Sequence, residues 1–389
     1  MFDTKPFKTK TEMNERENRT VEGTWTIAAD IGYSGVKIMS PAYVACFPSF
    51  ASRLAEDRGI IGEVDENYIL YTDMKTGEKW LVGQYAQNSI SDRDTSVSEE
   101  ALFGRERYED PMYRVIISTA LGIGMLPGKT SGPTGKVLHI QTGYPPAYED
   151  DKDEMQDAFA GEHFFRLQIG TQNPIEFRFF VDRNRVHVMA QPMGTLFSVT
   201  VDNNGQPVPE KKDCLRKAVV VFDAGFGTLD LFPIKNGRLE KSQTNQNLGM
   251  KRVMQDTCTA LNDSGVNIEV PALQKYLETG FARYNTRKTS RNVPFGDILR
   301  ESSEKICAEA ISWMTQTLWL PEYDYLIITG GTADAWKDMI REELKEMETL
   351  EIIDGNCNDN LPYIFANVRG YYLYRIAKLQ AAKKAAAAK

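Results

Sequence analysis

Two segments half a chain apart share one pattern, and this repeat constrains the fold more than any other feature. Residues 24–40 read TWTIAADIGYSGVKIMS, and residues 217–235 read KAVVVFDAGFGTLDLFPIK. Each segment has an apolar β-prone run, then Asp-x-Gly with a short turn of small residues, then a second β-prone run. This order predicts a strand, a glycine-rich turn and a returning strand. A motif repeated once at this distance indicates two duplicated halves, each opened by one copy.

The rest of the chain alternates between strand-like and helix-like segments, which predicts an α/β fold. Residues 112–123 (MYRVIISTALGI) predict a buried helix, and residues 323–336 (YDYLIITGGTADAW) predict a buried strand, a Gly-Gly turn and a helix start. A polar, proline-containing stretch at 203–213 marks the boundary between the halves. We therefore expect a flexible N-terminal tail at 1–22, a first domain at 23–210 with an inserted subdomain at about 50–110, a second domain at 211–380 and a basic tail at 381–389.

Charge and composition argue against several classes of function. The net charge is -8 and the pI is near 5.2, whereas direct non-specific binding of DNA requires a basic face. The sequence has no apolar run long enough for a transmembrane helix, and its polar N-terminal residues lack the apolar core of a secretion signal. Five scattered cysteines without a C-x-x-C pair predict a cytoplasmic protein, and three histidines without H-E-x-x-H spacing argue against a zinc site.

The first of three glycine-rich islands has the residue types that bind phosphate. Its members are Asp30, Gly32, Tyr33, Ser34, Gly35 and Lys37. The glycines let backbone N–H groups approach phosphate oxygens, because glycine adopts such turns without steric cost. Lys37 returns along the second strand toward the same place, where a cation stabilises developing negative charge.

The second and third islands complete a candidate nucleotide site. The second island contains Asp223, Gly225, Phe226, Gly227 and Thr228. Two such hairpins facing each other would enclose the phosphates, with Asp30 and Asp223 holding Mg²⁺ through water. The third island, which lies between the strand and the helix of residues 323–336, contains Gly330, Gly331 and Thr332. A helix N-terminus there offers unpaired N–H groups to a nucleoside or a phosphate.

Each island alone is most often a simple turn, and it is their order that carries the interpretation. Over residues 24–379 this order resembles the phosphate-1, phosphate-2 and adenosine motifs of the actin, Hsp70 and sugar-kinase superfamily. The resemblance implies an actin-like fold, with two duplicated α/β domains and with ATP and Mg²⁺ in the cleft between them. It also implies that Asp30 and Asp223 face the magnesium, that Lys37 contacts phosphate, and that Gly330 and Gly331 bind the adenosine.

The resemblance suggests further site residues outside the islands. The segment VHVMAQPMGTLF places Gln191 where the superfamily carries a catalytic Gln or Glu after a strand, and a glutamine there orients the attacking water. The alternative interpretation is that Gln191 only begins a helix beside Pro192. Glu304 and Lys305 resemble the place where relatives contact the adenine or ribose, although a charged pair on a helix is also typical of a solvated face.

Three features favour the ParM-like bacterial actins, which segregate plasmids. The chain is compact, and the stretch HIQTGYPPAYED resembles their GLP-x-x-Y segment, with Tyr144 in place of the usual Leu. The ending LPYIFANVRG resembles their P-x-x-ANARG signature, matched by Ala366, Asn367, Arg369 and Gly370.

This resemblance implies an ATPase whose monomers join head to tail into a dynamic filament. The nucleotide is ATP, with GTP also possible. The implied partners are further copies of the chain and a ParR-like DNA-binding adaptor on a centromere-like site, with no direct DNA binding and no membrane. The insertion at about 50–110 and the exposed loops at 281–296 are candidate polymer contacts.

Three alternative functions stay open at this point. A sugar-type kinase of the same superfamily needs a carboxylate base for a substrate hydroxyl, and Gln191 holds the nearest position. A chaperone-like or divisome-anchoring relative would add a peptide-binding domain or a membrane helix. A purely binding member would lack a competent site, whereas Asp30, Lys37 and Asp223 are all present.

Overall fold

The computed structural model describes residues 2–55, 63–90, 105–285 and 288–387. The described strands are β1 (Glu12–Glu15), β2 (Thr24–Ile31), β3 (Gly35–Met39), β4 (Tyr43–Pro48), β5 (Ala51–Arg53), β6 (Ile69–Asp73), β7 (Lys79–Val82), β8 (Val137–Tyr144), β9 (Gly161–Ile169), β10 (Ile175–Val181), β11 (Val186–Ala190), β12 (Val219–Ala224), β13 (Leu229–Lys235), β14 (Arg238–Leu239), β15 (Gln243–Asn245), β16 (Phe281–Asn285), β17 (Ser290–Pro294), β18 (Tyr325–Thr329) and β19 (Glu351–Asp354). The described α-helices are α1 (Gln84–Ser89), α2 (Pro111–Gly124), α3 (Lys152–Phe159), α4 (Gln191–Thr200), α5 (Met250–Asp263), α6 (Val270–Tyr276), α7 (Gly296–Thr317), α8 (Ala333–Glu343) and α9 (Ala366–Ala387).

Two large sheets repeat one strand order. The first sheet runs β1-β4-β3-β2-β8-β11, and the second runs β14-β13-β12-β18-β19 with β15 also paired to β13. In each sheet an antiparallel hairpin, β2–β3 or β12–β13, is followed in space by two parallel strands, β8 and β11 or β18 and β19. The predicted duplication into two α/β halves is therefore confirmed by the topology.

The leading strand of the first hairpin is central because both of its faces are apolar. Trp25 and Ile27 pack on one face in the same core as α2, while Ala28 points to the opposite face and packs with residues of α9. Such two-sided burial is typical of strands covered by helices on both sides. The same logic applies to β12, all of whose residues are buried.

The last helix of each half packs on the sheet of the other half. Leu196 and Val199 of α4, which follows the first sheet, pack with Val219 and Val221 of the second sheet. In return, α9 lies against β2 and β8 of the first sheet, although the sequence placed it in the second domain. This exchange joins the two halves. None of the helices in the described part of the chain is long and apolar enough to cross a membrane.

A third, five-stranded sheet forms a subdomain on the first half, in the order β10-β9-β6-β7-β5. The predicted insertion at about 50–110 supplies β5, β6 and β7, and β6 and β7 form an antiparallel hairpin. The predicted insertion is too short, because the sheet also contains β9 and β10 from later in the chain: β9 pairs with β6, and β10 pairs with β9. Residues 56–62 and 91–104 of the predicted insertion lie outside the described residues.

The N-terminal segment corrects a second expectation. The sequence predicted a flexible tail at 1–22, but β1 pairs with β4 at the edge of the first sheet. Further upstream, Thr4 is 3% exposed and its Oγ1 donates to Leu277 O in the second half at 2.5 Å. Polar composition misled the prediction, because hydrogen bonds and ion pairs hold this segment, among them Lys8–Glu278 and Arg16–Asp359.

The basic segment at 281–296, expected to be exposed loop, contains the two-stranded hairpin β16–β17. Its described cationic side chains Arg283, Lys288 and Arg291 are exposed. The segment is therefore ordered structure at the surface of the second half.

Candidate nucleotide-binding cleft

A cavity of about 490 Å³ lies between the two glycine-rich hairpins. Each leading strand of a hairpin ends at an aspartate, because β2 contains Asp30 and β12 contains Asp223 close to their C-terminal ends. Both carboxylates are 4% exposed, and both line the cavity. The repeated strand order thus brings together two aspartates that are far apart in sequence.

Each aspartate has one polar partner on the cavity wall. Lys37 Nζ lies 3.3 Å from Asp30 Oδ2, as expected from its position opposite Asp30 in the hairpin. Asn367 Nδ2 donates to Asp223 Oδ2 at 2.9 Å. Burial raises the pKa of Asp223 to about 6; the Asn367 hydrogen bond lowers it, and the nearby Asp30 raises it further.

The pair of carboxylates fits a divalent cation. Burying a carboxylate is unfavourable unless a cation or a hydrogen bond compensates its charge. Among the described residues there is no group of three or more His, Cys, Asp or Glu side chains arranged to hold a metal. A cation held by Asp30 and Asp223 would therefore take its other ligands from water and phosphate oxygens, which is the usual environment of Mg²⁺ in nucleotide sites.

The glycines of the islands leave room that any side chain would fill. A Cβ atom at Gly32 would lie 2.8 Å from Lys37 Nζ, and one at Gly227 would lie 2.5 Å from the Tyr33 ring. Gly330 has φ +95, and a Cβ there would lie 2.2 Å from Ala224 O. These contacts explain why glycine is required where the turns approach the cavity.

The third island is fastened to the second one. The strand β18 runs parallel to β12, and after it Thr332 N donates to Ala224 O at 3.0 Å. Thr332 Oγ1 donates to Gly225 O at 2.8 Å. Gly330, Gly331 and Thr332 line the cavity together with the first residues of α8, so the N-terminus of that helix faces it.

The structure brings Gln191 to the same place. Gln191 is the first residue of α4, and its Nε2 lies 3.4 Å from Asp30 Oδ1. Because the strand β11 is parallel to β8 and ends at Ala190, the side chain that follows it reaches the cavity edge. Both sequence interpretations of Gln191 are therefore compatible with its position, since it begins a helix and also lines the cavity.

The remaining predicted residues divide into two groups. The first group lines the cavity and consists of Tyr33, Ser34, Phe226 and Thr228. Gly35 does not line it, but a Cβ atom at Gly35 would lie 2.5 Å from Thr9, which does. Glu304 and Lys305 are not brought to the cavity. Both are exposed on α7, where Glu304 pairs with Arg300 and Lys305 pairs with Asp256. This position agrees with the alternative interpretation of the pair as a solvated helix face.

Sequence reasoning missed a buried polar chain that connects the halves. Thr195 Oγ1, on α4, donates to Asn367 Oδ1 at 2.6 Å and lies 2.8 Å from Thr329 Oγ1. Asn367 then donates to Asp223, so α9 supports the second aspartate directly. The signal was present in the ANVRG stretch, which was interpreted only as a family marker.

Sequence reasoning also missed the N-terminal segment as part of the cavity wall. Residues 3, 5–10 and 12 line it, and Lys8 Nζ pairs with Glu278 of the second half at 3.7 Å.

Gly249 and Met250 at the start of α5 are a third omission. Met250 N donates to Gly225 O at 3.2 Å, and Met250 lines the cavity.

Two duplicated α/β halves that exchange their last helices around a nucleotide-sized cleft define the actin-like fold, and comparisons with known proteins agree. Residues 28–194 match the family described as "Actin like proteins N terminal domain". The chain therefore has an actin-like fold, and its first half matches an actin-like family. Its sequence has no match among curated proteins.

Solved structures of ParM proteins have the same fold. The chain is similar to a non-polymerisable quadruple mutant of pCBH ParM, with 20% identity, a TM-score of 0.65 and coverage of 90% of this chain and 99% of that one. It is similar to a 15-stranded ParM filament from Clostridium botulinum, with 18% identity, a TM-score of 0.63 and coverage of 90% and 99%. An archaeal actin homologue matches at 16% identity and a TM-score of 0.60, covering 93% and 100%. The predicted fold class is confirmed, and ParM proteins are among the solved structures that share it.

Proposed function

We propose that this chain is a nucleotide-dependent, filament-forming ATPase that segregates plasmid DNA through a DNA-binding adaptor. The observation that carries the proposal is the convergence of Asp30, Lys37, Gln191 and Asp223 on one cleft between duplicated halves. These residues supply the carboxylates, the cation and the water-orienting amide that phosphoryl transfer from a nucleotide requires.

Within this proposal, the two glycine turns bind the phosphates through backbone N–H groups. Asp30 and Asp223 would hold Mg²⁺, which supplies positive charge to the phosphate oxygens when bound. Lys37 adds a second positive charge beside Asp30. The third island, with Gly330 and Gly331, would bind the nucleoside end through the N-terminus of α8.

Gln191 is the residue that would orient the attacking water. An amide cannot act as a strong base, but it can donate to one group and accept from another, which fixes the position of a water molecule. Its Nε2 already contacts Asp30 at 3.4 Å, so a water bound to Gln191 would lie at the aspartate end of the cleft. Gln191→Ala should therefore slow phosphate release while still permitting assembly.

Self-assembly is proposed because a protein with this fold, the ParM of Clostridium botulinum, is solved as a filament. A head-to-tail contact does not close, so it extends into a helical filament. The charge of -8 supports the division of labour in which an adaptor, rather than this chain, holds DNA.

The test is right-angle light scattering with pelleting after Mg²⁺ is added together with ATP, GTP or ADP. We expect scattering to rise with a triphosphate and then decay, and not to rise with ADP. The Gln191→Ala variant should show the rise with a delayed decay. Absence of any rise at high protein concentration, or turnover that starts only when a sugar is added, would replace this proposal with the sugar-type kinase.

A further inference from the structure

Arg107 is a buried cation on the cavity wall that the sequence did not single out. It lies in the 3-10 helix Arg105–Glu109, just before α2, and its exposed fraction is 5%. It lines the same cavity as Asp30 and Asp223. Among the described residues, its neighbours are three tyrosine side chains, one of which (Tyr108) also hydrogen-bonds with it, and one backbone carbonyl.

The environment of Arg107 lacks an anion. Its guanidinium carbon lies 4.6 Å from the ring centre of Tyr33, 5.3 Å from that of Tyr108 and 5.1 Å from that of Tyr113. Its Nη1 donates to Ile31 O at 3.4 Å, which is a long hydrogen bond. In the described part of the chain no carboxylate pairs with it. Lys37, by contrast, is paired with Asp30 at 3.3 Å.

A buried charge without a counter-ion is energetically unfavourable. Removing a guanidinium from water is costly, and cation–π contacts with the three tyrosine rings offset only part of that cost. An anion that enters the cavity would complete the site. The guanidinium is suited to this role because its planar set of N–H donors matches phosphate oxygens two at a time.

The contacts of Arg107 place it at the phosphate end of the cleft. Tyr33 belongs to the first glycine turn, and its ring contacts the Cβ position of Gly227 in the second turn at 2.5 Å. Ile31, whose carbonyl accepts from Arg107, directly follows Asp30 in β2. Tyr113 also lies near Asp30. Burial is the main cause of the raised pKa of Tyr113, and the nearby Asp30 carboxylate raises that pKa further.

We propose that Arg107 binds the terminal phosphate of a nucleoside triphosphate and positions it beside Asp30 and Gln191. This inference rests on the proposed function, and it assigns to that site a residue that comes from outside the three glycine-rich islands. Arg107 would distinguish a triphosphate from a diphosphate, because only the triphosphate extends a phosphate to the Asp30 end of the cleft. It would also stabilise the negative charge that develops during hydrolysis.

The test compares Arg107→Met and Arg107→Lys with the wild type. Methionine fills the space between the tyrosine rings without a charge, and lysine keeps the charge without the planar donors. Arg166→Met, at an exposed arginine of β9 paired with Glu176, is a matched control outside the cavity. Affinities for ATP and ADP with Mg²⁺ are measured by calorimetry on the full chain, and thermal unfolding is followed with and without nucleotide.

We expect Arg107→Met to weaken ATP binding about tenfold or more, as for a lost charge-assisted hydrogen bond, while ADP affinity changes less than about twofold. Without nucleotide, this variant should unfold at the same temperature as the wild type or at a higher one, since an unpaired buried charge is gone. Arg107→Lys should recover part of the ATP affinity.

Two results would overturn the inference while leaving the proposed function intact. One is equal weakening of ATP and ADP with a lower unfolding temperature in the absence of nucleotide, which is the signature of a structural arginine. The other is unchanged ATP affinity in both variants. If the wild type binds neither nucleotide, the proposed function itself fails, and this inference fails with it.

Discussion

Asp223, which we propose binds Mg²⁺, is a buried carboxylate that destabilises the free protein at neutral pH. It is 4% exposed, and burial raises the pKa of its carboxyl from 3.8 to about 6 despite the hydrogen bond from Asn367. Between these pH values the folded protein binds more protons than the unfolded chain does. The free energy of unfolding therefore decreases as the pH rises from about 4 to about 6.

The first prediction is that Asp223→Asn stabilises the free protein and abolishes phosphate release. Asparagine keeps an oxygen that can accept from Asn367, but it carries no charge, so unfolding in urea at pH 7.5 without Mg²⁺ should require about 2 kcal/mol more. The decrease attributed to Asp223 between pH 4 and 6 should disappear. Asp230→Asn is the comparison for the pH profile: burial raises the pKa of Asp230 to about 7 and the Asp223 carboxylate adds to it, so this variant should remove a decrease that extends to about pH 7, although Asp230 does not line the cavity. Lower stability of Asp223→Asn at pH 7.5 would contradict this account.

At the scale of elements, the crossing of α4 and α9 fixes how the halves meet. A Cβ atom at Gly370 would lie 1.6 Å from Gly194 O, and one at Gly194 would lie 2.6 Å from Asn367 O. The two helix backbones therefore touch where Asn367 supports Asp223. This geometry links the packing of the two helices to the position of a site residue.

The second prediction is that Gly370→Ala destabilises the protein, although alanine favours helices by about 1 kcal/mol over glycine. The new methyl group must push α4 away, so the free energy of unfolding in urea should fall by about 2 kcal/mol or more. The sign makes the measurement decisive. An increase in stability would mean that the helices do not touch at Gly370.

The third prediction concerns the N-terminal segment, which bridges both halves across the cleft. It is held to the first half by β1 and to the second by Thr4, which donates to Leu277 O, and by Lys8, which pairs with Glu278. In Thr4→Val combined with Lys8→Gln, a fluorescent nucleotide should dissociate about tenfold faster in stopped flow, because two polar contacts no longer hold the segment over the cavity.

The control for this measurement is Glu17→Gln, in the same segment but outside the cavity wall. An unchanged dissociation rate in the double variant would mean that the nucleotide leaves without displacing the segment.

The sequence predicted an element well where the residues that determine it are close together in the chain, and poorly where they are far apart. The hairpins β2–β3 and β12–β13, with their aspartates, were predictable because strand, turn and strand are contiguous and repeated. The pairing of β9 with β6 and the docking of residues 2–15 depend on partners far along the chain. Lys305 was misplaced for the same reason: no residue of α7 lines the cavity, and Lys305 pairs with Asp256, which is far from it in sequence.

At the scale of the whole molecule, the exchange of α4 and α9 makes the cleft the joint between two halves. Each half supplies one aspartate and one glycine turn, so a bound nucleotide would contact both at once. Under the proposed function, a change of phosphate number would alter the relative position of the halves and so link hydrolysis to the proposed contacts between neighbouring copies.

The last prediction is that the chain alone does not bind DNA. Its charge of -8 repels phosphates, and the proposed filament would multiply that charge along its length. The strongest local exception is hairpin β16–β17, which exposes Arg283, Lys288 and Arg291. Anisotropy of a labelled duplex should stay constant when protein is added at about 150 mM salt, with or without Mg²⁺ and ATP. Binding that disappears in Arg283→Glu combined with Arg291→Glu would instead assign DNA contact to this hairpin and remove the need for a separate adaptor.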